Sequence, residues 1–301
     1  MLHQPVLQST LMALIRPQKG ERVLDVTLGL GGHAKAFLDH IGESGTLIGL
    51  DADRENLEAA GVFLRAKKAR NVQLLHANFR DLPSLRLPHC DILLADLGLS
   101  SPHLDIPERG FSFRSDAPLD SRFDRSKGKT AAELLASSSE HELHRIFREY
   151  GEVPGSARLA RAIRERREQG KPPDRTRELV DIVSEVYGWK ATSLLPQIFQ
   201  ALRIAVNDEI DALTTLLEYG PTLLSGHGRM AIISYHSLED RLVKERFREL
   251  STPEKHPLTG APLKEASFRL LTKRAIQAEN PEVERNPRAR SARLRAIGRT
   301  P

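Results

Sequence analysis

The chain has 301 residues, 40% of them hydrophobic and 28% charged, a net charge of +5 and a single cysteine, Cys90. One cysteine excludes an intramolecular disulfide and a cysteine zinc cluster, and suits a reducing, cytosolic setting. No run of about 18 apolar residues occurs, so no transmembrane helix is expected. The segment Met1–Arg16 also lacks the apolar core and cleavage site of a signal peptide. The positive charge is uneven. Six arginines and no acid lie between Arg285 and Pro301, and Arg158, Arg161, Arg164, Arg166, Arg167 and Lys171 face only Glu165 and Glu168 within their stretch. Localised basic surface suits a polyanion such as nucleic acid; solvated helix faces and a basic tail explain it equally.

The first hundred residues alternate strand-like and helix-like segments. Strands are expected at Val23–Val26, Leu47–Asp51, Val72–His76 and Asp91–Asp96, with helical segments near 33–41, 54–67 and 80–85. This alternation predicts an α/β doubly wound parallel sheet. Right-handed crossovers bring the strand C-terminal ends to one rim, where such sheets bind ligands, and Asp25, Asp51 and Asp96 end strands there. Residues 97–129 are rich in Ser, Pro, Asp and Arg and read as an irregular loop. Helical patterns follow: 130–149, with Thr130 and Glu133 as a capping box, then 155–169, 176–187, and a long helix from Pro196 to Tyr219 with Pro196 in its first turn. Strand character resumes at 229–235. A loop is expected at 251–265, one more strand at Phe268–Ile276 and an irregular tail beyond Asn280. The chain thus reads as residues 1–102 and 201–301 of one α/β domain around an inserted all-helical domain, 103–200.

Asp25-Val26-Thr27-Leu28-Gly29-Leu30-Gly31-Gly32-His33 joins the first strand to a helix through a glycine turn. Such a turn lets backbone N–H groups approach a nucleotide-like ligand closely. Gly29, Gly31 and Ala34 also fit the dinucleotide pattern, with Asp51 placed to accept from ribose hydroxyls, so a nicotinamide cofactor competes with S-adenosylmethionine. Asp25 favours the latter, because a carboxylate there would pair with a cationic amino acid moiety and repel a pyrophosphate. So does Asp96-Leu97-Gly98-Leu99-Ser100-Ser101-Pro102, a polar loop with proline of the kind that grips an amine acceptor. Phe111 and Phe113 serve equally as base-stacking faces or as anchors of their loop. His236 follows the fifth strand on the same rim and suits proton transfer or loop anchoring. His141-Glu142-Leu143-His144 has the wrong spacing for a zinc helix and reads as a surface face.

Taken together, these segments resemble the bacterial small-subunit ribosomal RNA (cytosine-N4)-methyltransferases. The resemblance runs nearly end to end: His3-x-Pro5-Val6-Leu7, the glycine turn, residues 96–124, Tyr150-Gly151-Glu152, Phe199–Ile204, Asn207-Asp208-Glu209, His236–Arg241 and Asn286–Ser291. It implies a class I methyltransferase domain, Rossmann-like and mostly parallel, with a helical insertion. It implies S-adenosylmethionine contacts from Gly31, Gly32, His33, Asp51, Phe79, Asp96 and the residue at 103. The chain departs from the family pattern in having His103 for Gln, Ser121-Arg122-Phe123 for Met-Arg-Met, Ser193–Pro196 for a His-Pro-Ala segment, and Thr10 for an acid.

The expected reaction is methyl transfer to the exocyclic N4 of a cytidine in small-subunit ribosomal RNA, within a ribosomal subunit, by a cytoplasmic enzyme without a metal. Asp96, Ser100 and Ser101 are the expected hydrogen-bond acceptors for the amine, and His236 or solvent takes the proton. Helical-insert residues and the arginine-rich tail are expected to hold phosphates. Two other readings stand beside it: a non-catalytic RNA-binding assembly factor, and a nicotinamide-dependent oxidoreductase.

Overall fold

The computed structural model describes residues 5–66, 71–255 and 262–300. His3, residue 67 of the second expected helical segment and 256–261 of the expected loop lie outside them. In chain order the first elements are α1 (Gln8–Ile15), β1 (Arg22–Asp25), α2 (Gly32–Ile41), β2 (Thr46–Asp51), α3 (Arg54–Ala66), β3 (Val72–His76) and β4 (Cys90–Asp96). Then come α4 (Ser101–Asp105), α5 (Ala131–Ser137), α6 (Glu140–Glu149), α7 (Ser156–Glu168), α8 (Thr176–Tyr187), α9 (Ala191–Asn207) and α10 (Glu209–Tyr219). Last are β5 (Leu224–Ser234), α11 (Ser237–Leu250), β6 (Glu254–Lys255), β7 (Pro262–Lys264), β8 (Phe268–Leu270), α12 (Asn280–Arg285) and β9 (Arg293–Arg299).

The chain forms two compact units, Met1–Gly98 with Asp211–Pro301, and Leu99–Ile210. The expected insertion, 103–200, lies within the second. In the first, seven strands run in the order β3-β2-β1-β4-β5-β9-β8. β3 to β5 pair in parallel, and β9 is antiparallel to both neighbours. The order reverses between β1 and β4, so the crevice for a ligand opens beside Asp25 and Asp96. Period-two alternation decides which side chains face which helices. Val23, Leu47, Ile92, Leu94, Ala231 and Ile233 pack in one core with Leu11, Phe37, Ile41 and Leu64 of α1, α2 and α3. Leu24, Ile48, Leu50, Leu93, Ala95 and Ile232 pack in another with Leu213, Leu216, Val243 and Phe247 of α10 and α11. Both faces are covered, which is why these strands read as unbroken apolar runs.

The second unit has its own core, formed by Leu135, Leu143, Phe147, Leu159, Ile163, Leu179, Ile182, Ile198, Phe199 and Leu202 among others. Thr130 caps α5 through Glu133 as expected. The single helix expected over 130–149 is divided, because Ser138 ends α5 and the Ser139 hydroxyl caps α6. The expected Pro196–Tyr219 helix is also divided. Asp208 adopts a left-handed conformation, and the bidentate Arg203–Glu209 pair spans the break at 2.7 and 3.0 Å. This helix starts earlier than expected, at Ala191, and holds Pro196 in its interior.

Two more expectations change in the C-terminal region. The strand expected over Phe268–Ile276 is limited to β8 and one bridge from Ile276 to Leu294. The tail is not irregular: α12 is followed by β9, which lies inside the sheet. Three of its arginines are engaged within the chain. Asp240 accepts from Arg295 Nε at 2.7 Å and from Arg293 Nη1 at 3.1 Å, and Arg299 donates to the Leu224 carbonyl at 2.8 Å.

Candidate active site

Three strands deliver carboxylates to the rim. Asp25 ends β1 and is only 1% exposed. Its Oδ1 accepts from the Thr27 N–H at 3.2 Å, while its Oδ2 is buried without a hydrogen-bond partner. Burial raises its pKa to about 7, an effect that His33 opposes and Asp96 and Asp51 reinforce. Asp51 ends β2. Its Oδ2 accepts from Gly29 N–H at 2.7 Å and its Oδ1 from Asp53 N–H at 2.8 Å. These bonds tie the glycine turn to β2, and the Asn56 side chain hydrogen-bonds the same carboxylate. Burial raises the pKa of Asp51 to about 6 against those same hydrogen bonds.

Asp96 ends β4 and is the most braced of the three. Its backbone N–H donates to Thr27 Oγ1 at 2.6 Å, which locks the ends of β1 and β4 together. Its Oδ1 accepts from the Tyr235 hydroxyl at 2.8 Å, and its Oδ2 lies 3.4 Å from His33 Nε2. His33 is 6% exposed, and neither ring nitrogen makes a hydrogen bond. Thr27 and Tyr235 were not singled out in the sequence. Thr27 sits inside the glycine motif, but Tyr235 is signalled only by its place beside His236.

The glycine turn does what its composition predicts. Gly29 and Gly31 have φ of 53° and 83°. No side chain caps α2, so its leading N–H groups are available to a ligand. Gly32 has a second reason to lack a side chain, because a Cβ there would come within 2.4 Å of Pro5 Cγ. Phe79 follows β3 on a single 3-10 turn that Asn78 and Asp81 cap reciprocally. That turn replaces the helix expected near 80–85.

His236 is placed as a cap. Its Nδ1 accepts from Glu239 N–H at 3.4 Å, its Nε2 lies 3.1 Å from Glu239 Oε1, and Glu239 Oε2 accepts from the backbone of Tyr235 at 2.8 Å. Both ring nitrogens thus face Glu239 at the head of α11, with Nδ1 capping the helix and the buried Nε2 making no hydrogen bond.

Ser100, Ser101 and His103 belong to the second unit. Ser100 opens α4, and both its N–H and its hydroxyl lie 3.1 Å from His103 Nδ1. The His103 ring packs on Phe111 and Phe123 at 4.8 and 5.0 Å between centroids. Two departures from the family pattern, His103 and Phe123, are therefore in contact. Another departure, Ser121, donates its hydroxyl to the Gly110 carbonyl at 2.8 Å. Arg109, 1% exposed, donates to the carbonyls of Arg122 and Phe123, and Asn207 bonds Phe123 N–H and the Ser121 carbonyl. Phe113 packs edge-on against Phe199 at 5.5 Å. Both phenylalanines are thus loop anchors. His144 bonds Ser156 across α6 and α7.

A model of the MraW methylase family matches residues 1–300. The chain belongs to the MraW methylase family. Among its relatives, the ribosomal RNA small subunit methyltransferase H of Syntrophotalea carbinolica is 45% identical over 99% of this chain and 98% of its own length. The enzyme of that name from Anaeromyxobacter sp. (strain K) is 43% identical over 98% and 97%. Solved structures are more distant: an rRNA methylase from Streptococcus thermophilus aligns over 100% of this chain and 99% of its own at 12% identity, with a TM-score of 0.43. This MraW-family methylase uses S-adenosylmethionine, and its rim suits that cofactor. Asp25 Oδ2 is a buried oxygen awaiting a donor, which a cationic amino group supplies and a pyrophosphate would repel. The nicotinamide reading falls with that observation and with the family.

Proposed function

We propose that this methylase modifies the exocyclic N4 of a cytidine in small-subunit ribosomal RNA, acting in the cytoplasm on RNA within a ribosomal subunit. The observation that carries the reading is the carboxylate rim at the switch point of a MraW-family sheet, with Asp25 unsatisfied and Asp96 braced. When bound, S-adenosylmethionine supplies a methyl group on a positively charged sulfur, ready for transfer to a nucleophile. Asp25 would take its ammonium group, Asp51 its ribose hydroxyls, the turn at Gly31, Gly32 and His33 its backbone-facing side, and Phe79 its adenine. His103 is carried into this proposal from the family pattern, with its ring nitrogen Nδ1 already committed to Ser100.

Cytosine N4 is a poor nucleophile, because its lone pair is delocalised into the ring. The protein must hold the amine in line with the methyl donor and keep water out; orientation of that kind is worth about 7–11 kcal/mol. Asp96, fixed from three sides, accepts a hydrogen bond from the amine and stabilises the positive charge that develops on it. Ser100 and Ser101 supply the remaining acceptors in this proposal on the strength of their place in the loop leaving β4. His236 Nδ1 caps α11 while its buried Nε2 makes no hydrogen bond, so in this proposal His236 or solvent takes the departing proton. The target base must be unpaired or extruded to reach the rim.

Nucleoside mass spectrometry of small-subunit ribosomal RNA from cells with and without the protein tests the reaction. N4-methylcytidine should vanish without it and return on complementation. Asp96→Ala should lower methyl transfer by roughly a hundredfold or more. Near-normal transfer by that variant would remove Asp96 from the mechanism.

A further inference from the structure

The chain contains one tryptophan, and it is not in a core. Trp189 is 88% exposed, on the 3-10 turn Gly188–Lys190 between α8 and α9. Tryptophan is ordinarily among the most buried side chains on average, so what lies beside an exposed one bears on its use. Lys190 Nζ lies 5.1 Å from the Trp189 ring centroid, the one group placed over that ring among the described residues. Next to it, at the end of α8, Arg158 of α7 sits over Tyr187 at 5.7 Å. Neither cation has a carboxylate partner among the described residues, although most arginines further along α7 do. Arg161 and Arg164 pair with Glu140, and Arg166 takes Glu185, the nearest acid to the turn in sequence. Ser184, Gly188, Thr192 and Ser193 near the indole in sequence are all exposed and small or polar. A Cβ on Gly188 would meet nothing within 4 Å.

An apolar partner surface would call for exposed apolar neighbours, whereas the exposed residues flanking this ring in sequence are small or polar. A flat aromatic face with one unpaired cation against it, and a second over Tyr187 two residues earlier, matches a single-stranded nucleic acid, in which a base stacks on the ring and phosphates lie against the cations. We propose that Trp189, with Lys190 and Arg158, is a stacking contact of the helical unit for an unpaired nucleotide of the RNA substrate. The inference rests on the ribosomal RNA reading above for the source of the RNA. It adds a site outside the methyl-transfer rim.

Because Trp189 is the only tryptophan, protein fluorescence reports on this position alone. Titration of the full-length protein with a single-stranded oligocytidylate at low salt should quench the emission, and the quench should weaken as salt rises. With purified small ribosomal subunits as substrate, Trp189→Ala should raise the KM for subunits about tenfold. kcat, the KM for S-adenosylmethionine and the melting temperature should stay as they are. Trp189→Phe should recover most of the loss, and Lys190→Glu with Arg158→Glu should reproduce it. Unquenched emission together with an unchanged KM for subunits overturns the inference. If wild-type protein methylates no subunits but oligocytidylate still quenches Trp189, the substrate reading fails and the stacking site stands.

Discussion

With Asp25 proposed to hold the cofactor's ammonium group, cofactor binding should be coupled to protons. The pKa of Asp25 is about 7 in the folded, ligand-free chain against an ordinary value of 3.8, and that of Asp51 is about 6. Between pH 4 and 7 the folded state therefore binds more protons than the unfolded state, so these groups make stability fall as pH rises through that window. A cationic ammonium beside Asp25 favours the carboxylate, so binding should release a proton. The affinity for S-adenosylhomocysteine, measured by calorimetry, should rise with pH up to about 7 by at most tenfold per unit and then level off. Asp25→Asn, which keeps an oxygen for Thr27, should bind more weakly above pH 7 and lose the pH dependence. A flat wild-type affinity from pH 5.5 to 7.5 would argue against the coupling. The three rim aspartates were legible in the sequence because each ends an apolar run. The placements of His103 and His236 were not, because each depends on contacts that spacing does not reveal: Phe111 and Phe123 around one, Glu239 against the other.

At the scale of elements, the parallel strands β1 to β4 could be read from sequence because burial on both faces makes them apolar throughout. β9 could not. Arg293, Arg295 and Arg299 interrupt it, and in sequence they resemble a basic tail, whereas Leu294, Ala296 and Ile297 are fully buried. Charge in that strand is tolerated because Asp240 of α11 receives two of the guanidinium groups. Asp240→Ala should therefore destabilise the protein by about 1–3 kcal/mol, the cost of leaving charge-assisted hydrogen bonds unmade. Denaturant unfolding would show this as a lower midpoint. A variant with the wild-type midpoint but weaker RNA affinity would instead return these residues to the role of an arginine-rich tail. The divided helices at Ser138 and Asp208 were missed for a related reason: apolar periodicity continues across both breaks, and only the cap chemistry of Ser139 and the backbone of Asp208 mark them.

At the scale of the molecule, the alternation of strands and helices revealed the α/β fold, and it breaks off after Asp96, close to where the second compact unit begins at Leu99. The core of the unit Leu99–Ile210 is drawn from its own residues. That segment expressed alone should be helical by circular dichroism and unfold cooperatively on heating. A non-cooperative, urea-like spectrum would show that its core needs the rest of the chain. The same arrangement fixes an order of events during synthesis. β1 to β4 emerge first and the helical unit is complete before β5 exists, so the insertion can fold while its parent sheet is still missing strands. β9 is translated after every other strand, and until it arrives β5 keeps an open edge and Asp240 keeps its charge unanswered. A nascent or prematurely terminated chain therefore carries an unpaired, largely apolar strand of the kind that aggregates, so quality control acting on this protein will be decided at its last strand.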